Sequence, residues 1–261
     1  GCTSLRTQVD VTIAAGLTVN AGLDDTICDG QPYTLGTTPN GAGFTFIWDE
    51  PGNLNFNNTF NPTVSPTATT TYTVTVTDAA NCTGKDSVTI TVNPVPTVTV
   101  PANAPFCTSD LVPASAFISN PVGGTFNWTN SDPTIGLAAN GTGNTPAFNA
   151  INNTATPVTA TVTVTPTLNN CIGTASNYTI TINPTPTVTV SPNAAYCNGD
   201  LVLASAYTST PAGGTFTWTN SDPTIGLAAN GTGNTPAFNA TNATTNTTVA
   251  TITVTPSANS C

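Results

Sequence analysis

Basic side chains are nearly missing from this sequence: Arg6 and Lys85 stand alone among 261 residues, against twelve Asp and Glu, for a net charge of -10. Counterion release needs clustered Lys and Arg, so this shortage excludes a nucleic-acid partner. It equally disfavours docking on an anionic membrane, and no apolar run is long enough to insert across a bilayer. Histidine is absent, and Lys85 and Glu50 are the single residues of their kinds. A Ser or Thr nucleophile therefore has almost no candidate base, and the chain does not read as an enzyme. Long helices are excluded as well. The 22 Pro and 21 Gly interrupt the chain, and no stretch keeps a 3.6-residue apolar period.

What is present is Thr, Asn, Val and Ile in alternation. Thr71–Thr77 (TYTVTVT) sets Tyr72, Val74 and Val76 on one face and Thr on the other, the period-2 pattern of a half-buried strand. Ser87–Val92, Thr159–Thr165, Tyr178–Ile182 and Ala250–Thr255 repeat the pattern. Thr on the wet face keeps β-branching and so favours the strand without charge. The block Trp128–Ala150 recurs letter for letter at Trp218–Ala240, 90 positions later. A unit copied whole points to a tandem structural array.

The expected fold is all-β, with antiparallel β-sandwiches strung into an elongated rod. Residues 1–16 read as the last strand of a preceding repeat, 17–94 as the first full repeat and 95–184 as the second. Residues 185–261 read as a third repeat lacking its last strand. Asn93-Pro94-Val95-Pro96 and Asn183-Pro184-Thr185-Pro186 join the repeats, and their prolines make these connectors short and stiff.

Seven Cys occur at wide intervals and never as close pairs, which fits disulfides in an oxidising compartment and not zinc. Each repeat carries one Cys after its first strand and another after its penultimate strand. The expected bridges close each repeat on itself: Cys28–Cys82, Cys107–Cys171 and Cys197–Cys261. Cys2 is left over, with its partner expected in the preceding repeat. Trp48, Trp128 and Trp218 follow the first Cys of each repeat by 20, 21 and 21 positions, in the Cys…Trp…Cys order of immunoglobulin domains. Phe lies two positions before each Trp, on the same face of a strand, so these Trp are expected in cores and not on a sugar-stacking platform.

The segment Asn61–Val92 and the WTNSDPTIGLAANGTGNTP blocks resemble PKD-like and immunoglobulin-like repeats of very large Bacteroidetes cell-surface proteins, gliding-motility adhesins among them. The resemblance implies an extracellular location at a bacterial surface, export by the type IX secretion system, and tandem PKD-like sandwiches. It covers nearly the whole chain. One departure is plain: the PKD signature continues from Trp-Asp into Phe-Gly-Asp-Gly, whereas Trp48-Asp49 continues into Glu50-Pro51-Gly52.

Candidate sites are few. Asp24, Asp25 and Asp29 flank Cys28, and a bridge to Cys82 would bring Asp78 and Asp86 near them. Such oxygen ligands suit Ca²⁺, although no EF-hand spacing is present; no other cofactor is implied. Asp25-Thr26-Ile27 and Asp86-Ser87-Val88 match the Asp-Ser/Thr-apolar acceptor of Bacteroidetes O-glycosylation, which the resemblance extends to Thr26 and Ser87. The expected partners are neighbouring repeats of the same chain. Two further readings are surface glycans bound weakly and many times over, and other copies joined in a filament by strand donation.

Overall fold

The computed structural model describes residues 6–11, 13, 15–50 and 53–261. In the first repeat the strands are β1 (Asp25–Cys28), β2 (Tyr33–Thr34), β3 (Thr45–Glu50), β4 (Asn53–Asn57), β5 (Thr63–Val64), β6 (Thr70–Thr77) and β7 (Thr83–Asn93). The second repeat opens with β8 (Thr97–Thr99), β9 (Ala104–Cys107), β10 (Leu111–Val112), β11 (Ile118–Asn120) and β12 (Thr125–Asn130). It continues with β13 (Asn140–Thr142), β14 (Phe148–Asn149), β15 (Val158–Leu168), β16 (Cys171–Ile172) and β17 (Ser176–Asn183). The third holds β18 (Thr187–Thr189), β19 (Leu201–Val202), β20 (Thr208–Thr210), β21 (Thr215–Asn220), β22 (Asn230–Thr232), β23 (Phe238–Asn239) and β24 (Ile252–Ser257).

The chain forms two compact units. One is Gly1–Thr97 with Asn120–Gly124 and Thr167–Gly173; the other is Val98–Ser119 with Thr125–Pro166 and Thr174–Cys261. In the first unit the main sheet runs β1-β7-β6-β3-β4, and β2 pairs with β5. β6 is antiparallel to β7 and β3, while β1 lies parallel to β7 from Asp25↔Ile90 to Cys28↔Asn93. The alternation read from TYTVTVT is realised: Tyr72, Val74 and Val76 are buried with Trp48, Val88 and Ile90, and Leu35 and Val64 cover them from the smaller layer. Each fully buried Val or Ile contributes about 1.5–3 kcal/mol relative to exposure. On the wet face Thr71 and Thr89 hydroxyls meet at 3.0 Å, a cross-strand pair that needs no charge.

In the second unit the sheet of repeat 2 runs β13-β12-β15-β17-β9, accompanied by the ribbon β10-β14. Its core gathers Trp128, Ile135, Leu137, Val162, Val164, Tyr178, Ile180 and Ile182. Repeat 3 keeps β22-β21-β24 and the ribbons β18-β20 and β19-β23. The all-β class expected from sequence is thus the class found: several small sheets of mostly antiparallel strands, with one parallel pair in repeat 1 and one in repeat 2.

Several letters of the copied block have a structural explanation. Asn130 donates its buried amide to the Leu137 carbonyl at 2.9 Å, and Asn220 does the same to Leu227 at 2.9 Å. Asp132 and Asp222, expected to start turns, cap the 3-10 turns Pro133–Ile135 and Pro223–Ile225 by accepting from Thr134 N–H and Thr224 N–H. Gly141 and Gly231 pair with Trp128 and Trp218 across the strands, and a Cβ at either glycine would collide with the indole ring. Trp48, Trp128 and Trp218 are all buried, so none offers a face to a sugar.

One expected element differs. Residues 6–11 and 13, expected within a strand, form none, and Val9, Val11 and Ile13 are 80%, 81% and 90% exposed. The remainder of that expected strand, residues 1–5, 12 and 14 with Cys2, lies outside the described residues.

The Trp residues differ in one respect that mutation can read. Trp48 donates its indole N–H to the Thr59 carbonyl at 3.0 Å, whereas the buried indole nitrogens of Trp128 and Trp218 have no partner. A buried unpaired donor costs about 1–3 kcal/mol. Trp48→Phe is therefore expected to lower stability by about 1–2 kcal/mol more than Trp128→Phe, measured by denaturant unfolding of the two variants.

The caps carry a pH signature. The Thr134 hydroxyl, then its backbone N–H, holds the Asp132 carboxyl below the usual carboxylate range, and Thr224 does the same for Asp222. A folded value below the unfolded one stabilises above the unfolded value, near pH 4, and that gain is lost as pH falls through the folded value. Asp132→Asn with Asp222→Asn is expected to flatten the acid limb of a melting-temperature profile below about pH 4, with no change of slope near neutrality.

Candidate functional site: disulfide staples between repeats

Cys28 is bonded to Cys171 and Cys107 to Cys261, each with Cα atoms 5.6 Å apart. Cys82 and Cys197 are free thiols. The expected closures Cys28–Cys82, Cys107–Cys171 and Cys197–Cys261 are therefore corrected: the first Cys of one repeat reaches the second Cys of the next.

Strand direction explains the correction. β9 runs parallel to β17 and places Cys107 beside Asn183, at the strand's last residue. Cys171 instead sits five positions before Ser176, where β17 begins. An eight-residue strand spans about 26 Å, far outside the Cα range a disulfide tolerates. Repeat 1 is built alike, with Cys28 beside Asn93 at the end of β7 and Cys82 just ahead of its first residue, Thr83.

Local turn chemistry presents each sulfur. Cys171 follows Asn169 and Asn170, with φ of 48° and 63°, and Cys261 follows Asn259 and Ser260, with φ of 52° and 66°. Two successive left-handed residues are the type I′ hairpin turn. Before Cys82 the loop is one residue longer, with Asn81 left-handed at 64° and Asp78 accepting from the Cys82 N–H at 2.9 Å. A side-chain clasp accompanies each bridge. Asn93 donates Nδ2–H to the Asn169 carbonyl at 3.4 Å, and Asn183 does so to Asn259 at 3.0 Å.

The bridges close loops of 143 and 154 residues, and these loops interlace because Cys107 lies between Cys28 and Cys171. Alone, each would stabilise by about 5 kcal/mol on the chain-entropy estimate. Together they give less than the sum, since the first bridge already shortens the loop the second closes.

The carboxylates expected around Cys28 are dispersed by the same correction. Asp24 accepts from Thr89 N–H at 2.7 Å, Asp86 from Ala21 N–H at 2.8 Å, and Asp78 caps the turn before Cys82. Asp25 accepts from Thr26 N–H at 2.7 Å and lies beside Tyr33, whose phenol is pushed up by burial and then by the Asp25 charge. Asp29 donates its backbone N–H to the Asn93 carbonyl at 2.9 Å. Among the described residues no three His, Cys, Asp or Glu come together to hold a metal ion. Thr26 and Ser87 are both exposed. A cleft of about 510 Å³ lies beside β6, lined by Glu50, Ser65, Thr67, Thr69 and Tyr72 among others. Sequence reading missed the stapling register, which only the parallel pairing of β1 with β7 and of β9 with β17 reveals.

Non-reducing peptide mapping is expected to return the linked pairs Cys28–Cys171 and Cys107–Cys261. Alkylation without reductant should label exposed Cys197 faster than half-buried Cys82. Recovery of a Cys107–Cys171 peptide would refute the register.

No helix among the described residues is long and apolar enough to cross a membrane. No match to the chain is found among curated proteins. Solved structures of similar trace include mouse cadherin-23 EC22–24, at 10% identity and TM-score 0.39, covering 84% of this chain and 86% of that one. The chain is also similar to Sidekick-1 immunoglobulin domains 1–5, at 11% identity and TM-score 0.35, covering 90% and 57%. The DIP-gamma Ig1+Ig2 fragment matches at 10% identity and TM-score 0.36, covering 64% and 97%. At such scores the likeness carries no functional meaning. Residues 107–186, from the first Cys of repeat 2 into the second connector, match the PKD-like domain family.

Proposed function

We propose that the chain is a run of structural repeats in an extracellular adhesion-type protein, serving as a disulfide-stapled stalk or spacer that performs no chemistry. The observation that carries this reading is the stapling register. Bridges that link each repeat to its neighbour resist extension of the array, whereas bridges within repeats would protect only single cores. The buried Trp faces, and the Asp24, Asp78 and Asp86 carboxylates engaged with backbone N–H groups, support the same reading.

The host we propose is a large cell-surface adhesin of the Bacteroidetes gliding-motility kind, exported by the type IX system. Disulfides and the PKD-like match support an extracellular setting, and the sequence resemblance supports the bacterial surface. Exposed Thr26 and Ser87 are proposed as O-glycan carriers on that surface.

Deleting residues 95–184 tests the spacer role. The deletion removes one period, so Cys28 and Cys261 become the partners of a single staple. In the adhesin carrying these repeats, reach from the cell should shorten while affinity for its target surface stays unchanged. Affinity falling with each repeat removed would instead show that the repeats bind the target themselves.

A further inference from the structure

Asn followed by Gly is the pairing in which a side-chain amide is most open to attack by the next backbone nitrogen, because glycine sets no Cβ beside the nucleophile. The chain holds four such pairs: Asn40-Gly41, Asn140-Gly141, Asn198-Gly199 and Asn230-Gly231. The reaction brings the Gly nitrogen onto Asn Cγ in a five-membered ring, so both groups must be free to turn toward one another. A hydrogen bond or strand ladder that holds either group has to open first. The fold separates the four pairs on that ground.

Three pairs are held. Asn140-Gly141 lies in β13, where Gly141 faces Trp128. On either side the ladder is fixed by Asn130 N–H on the Ala139 carbonyl at 2.8 Å and Gly143 N–H on the Phe126 carbonyl at 2.9 Å. Asn230-Gly231 lies in β22 opposite Thr219 and Trp218, with the matching bonds from Asn220 to Ala229 at 2.8 Å and from Gly233 to Phe216 at 2.9 Å. Asn198-Gly199 is exposed, yet both reacting groups are tied. Gly199 N–H donates to the Ala240 carbonyl at 2.7 Å, and Asn198 Oδ1 accepts from Asn242 N–H at 2.9 Å.

Asn40-Gly41 differs from all three. It lies in the loop between the bridge Asn20↔Thr38 and β3, outside any strand. Neither the Asn40 amide nor the Gly41 N–H has a hydrogen-bond partner among the described residues. Gly41 and Gly43, at φ of 134° and 96°, both have open space where a Cβ would stand, so the loop has room to turn.

We infer that Asn40 is a site of spontaneous deamidation, with water as the sole co-reactant. The Gly41 nitrogen gives its proton to solvent base and bonds to Asn40 Cγ. The Cγ–Nδ2 bond then breaks, and the nitrogen leaves as ammonia with a proton returned by solvent. Water opens the imide at either of its two carbonyls. Opening at Cγ leaves an ordinary aspartate; opening at the backbone carbonyl leaves isoaspartate, whose main chain runs through Cγ and is one carbon longer. Either product exchanges the amide nitrogen for oxygen and adds one negative charge to repeat 1. The open loop takes up the extra carbon, while Leu35 and Phe46, which anchor the core on either side, stay in place. The modification thus records the age of the folded chain without unfolding it, whether the repeats act as a spacer or bind a target themselves.

The test holds the folded 261-residue chain in mildly alkaline buffer made with heavy-oxygen water and follows all four pairs by peptide mapping. Asn40 should convert at least tenfold faster than each of Asn140, Asn198 and Asn230, taking up one heavy oxygen per event. Isoaspartate should exceed aspartate, and the melting temperature should not change. In the reduced chain unfolded in urea, the four pairs should convert at similar rates. Asn40→Gln should remove the fast conversion and leave the three slow ones as they were. Conversion of Asn40 no faster than that of Asn198 in the folded chain, or an equal lead for Asn40 in urea, would overturn the proposal. Aspartate formed without isoaspartate would overturn the imide route, and a melting temperature that falls as isoaspartate accumulates would overturn the loop's tolerance.

Discussion

The parallel contact between a repeat's Cys-bearing strand, β1 or β9, and its last strand is the constraint from which the rest follows. β1 on β7 and β9 on β17 extend otherwise antiparallel sheets, and each carries its Cys to the end of the last strand. The second Cys, on the hairpin before that strand, is held a strand's length away. Once the sheet has formed, a bridge inside one repeat is geometrically closed off, and the hairpin of the next repeat is what comes within reach. The clasps from Asn93 to Asn169 and from Asn183 to Asn259 repeat this meeting with the same chemistry.

Interlacing gives the staples mechanical meaning. With Cys107 inside the loop closed by Cys28 and Cys171, neither loop can be drawn out without engaging the other bridge. Cores of this size bury few large side chains, so cross-links compensate for what a small sandwich cannot supply by burial alone. The Thr pairs on the wet face fit the same economy of charge: Thr159 and Thr181 hydroxyls meet at 2.9 Å where a soluble protein of higher charge would place Lys and Glu.

Repeats 2 and 3 share a 23-residue block letter for letter, while the burial of the strand paired beside it differs between them. Trp128 and Trp218 are equally buried at 4%, and Asp132 and Asp222 accept the same hydrogen bonds from Thr134 and Thr224, so the block folds alike in both. Away from the block, Val162 and Val164 are buried, whereas Ile252 and Val254 are only half-buried. The block thus keeps its local structure whether the strand beside it is buried or half-buried.

Period-2 alternation at Tyr72, Val74 and Val76, the turn role of Asp132, the burial of the three Trp and the all-β class were legible in the sequence by itself. Each depends on residues adjacent in the chain, where spacing and side-chain chemistry suffice. The partners of Cys28 and Cys107 were not legible, nor was the dispersal of Asp24, Asp78 and Asp86 onto separate backbone N–H groups. Cysteine order along the chain is the same whether the Cys-bearing strand, β1 or β9, runs parallel or antiparallel to the last, and only that direction decides which end of the sheet each sulfur occupies. Tertiary structure chose the parallel pairing, and with it a chain of repeats linked to one another in place of repeats closed on themselves.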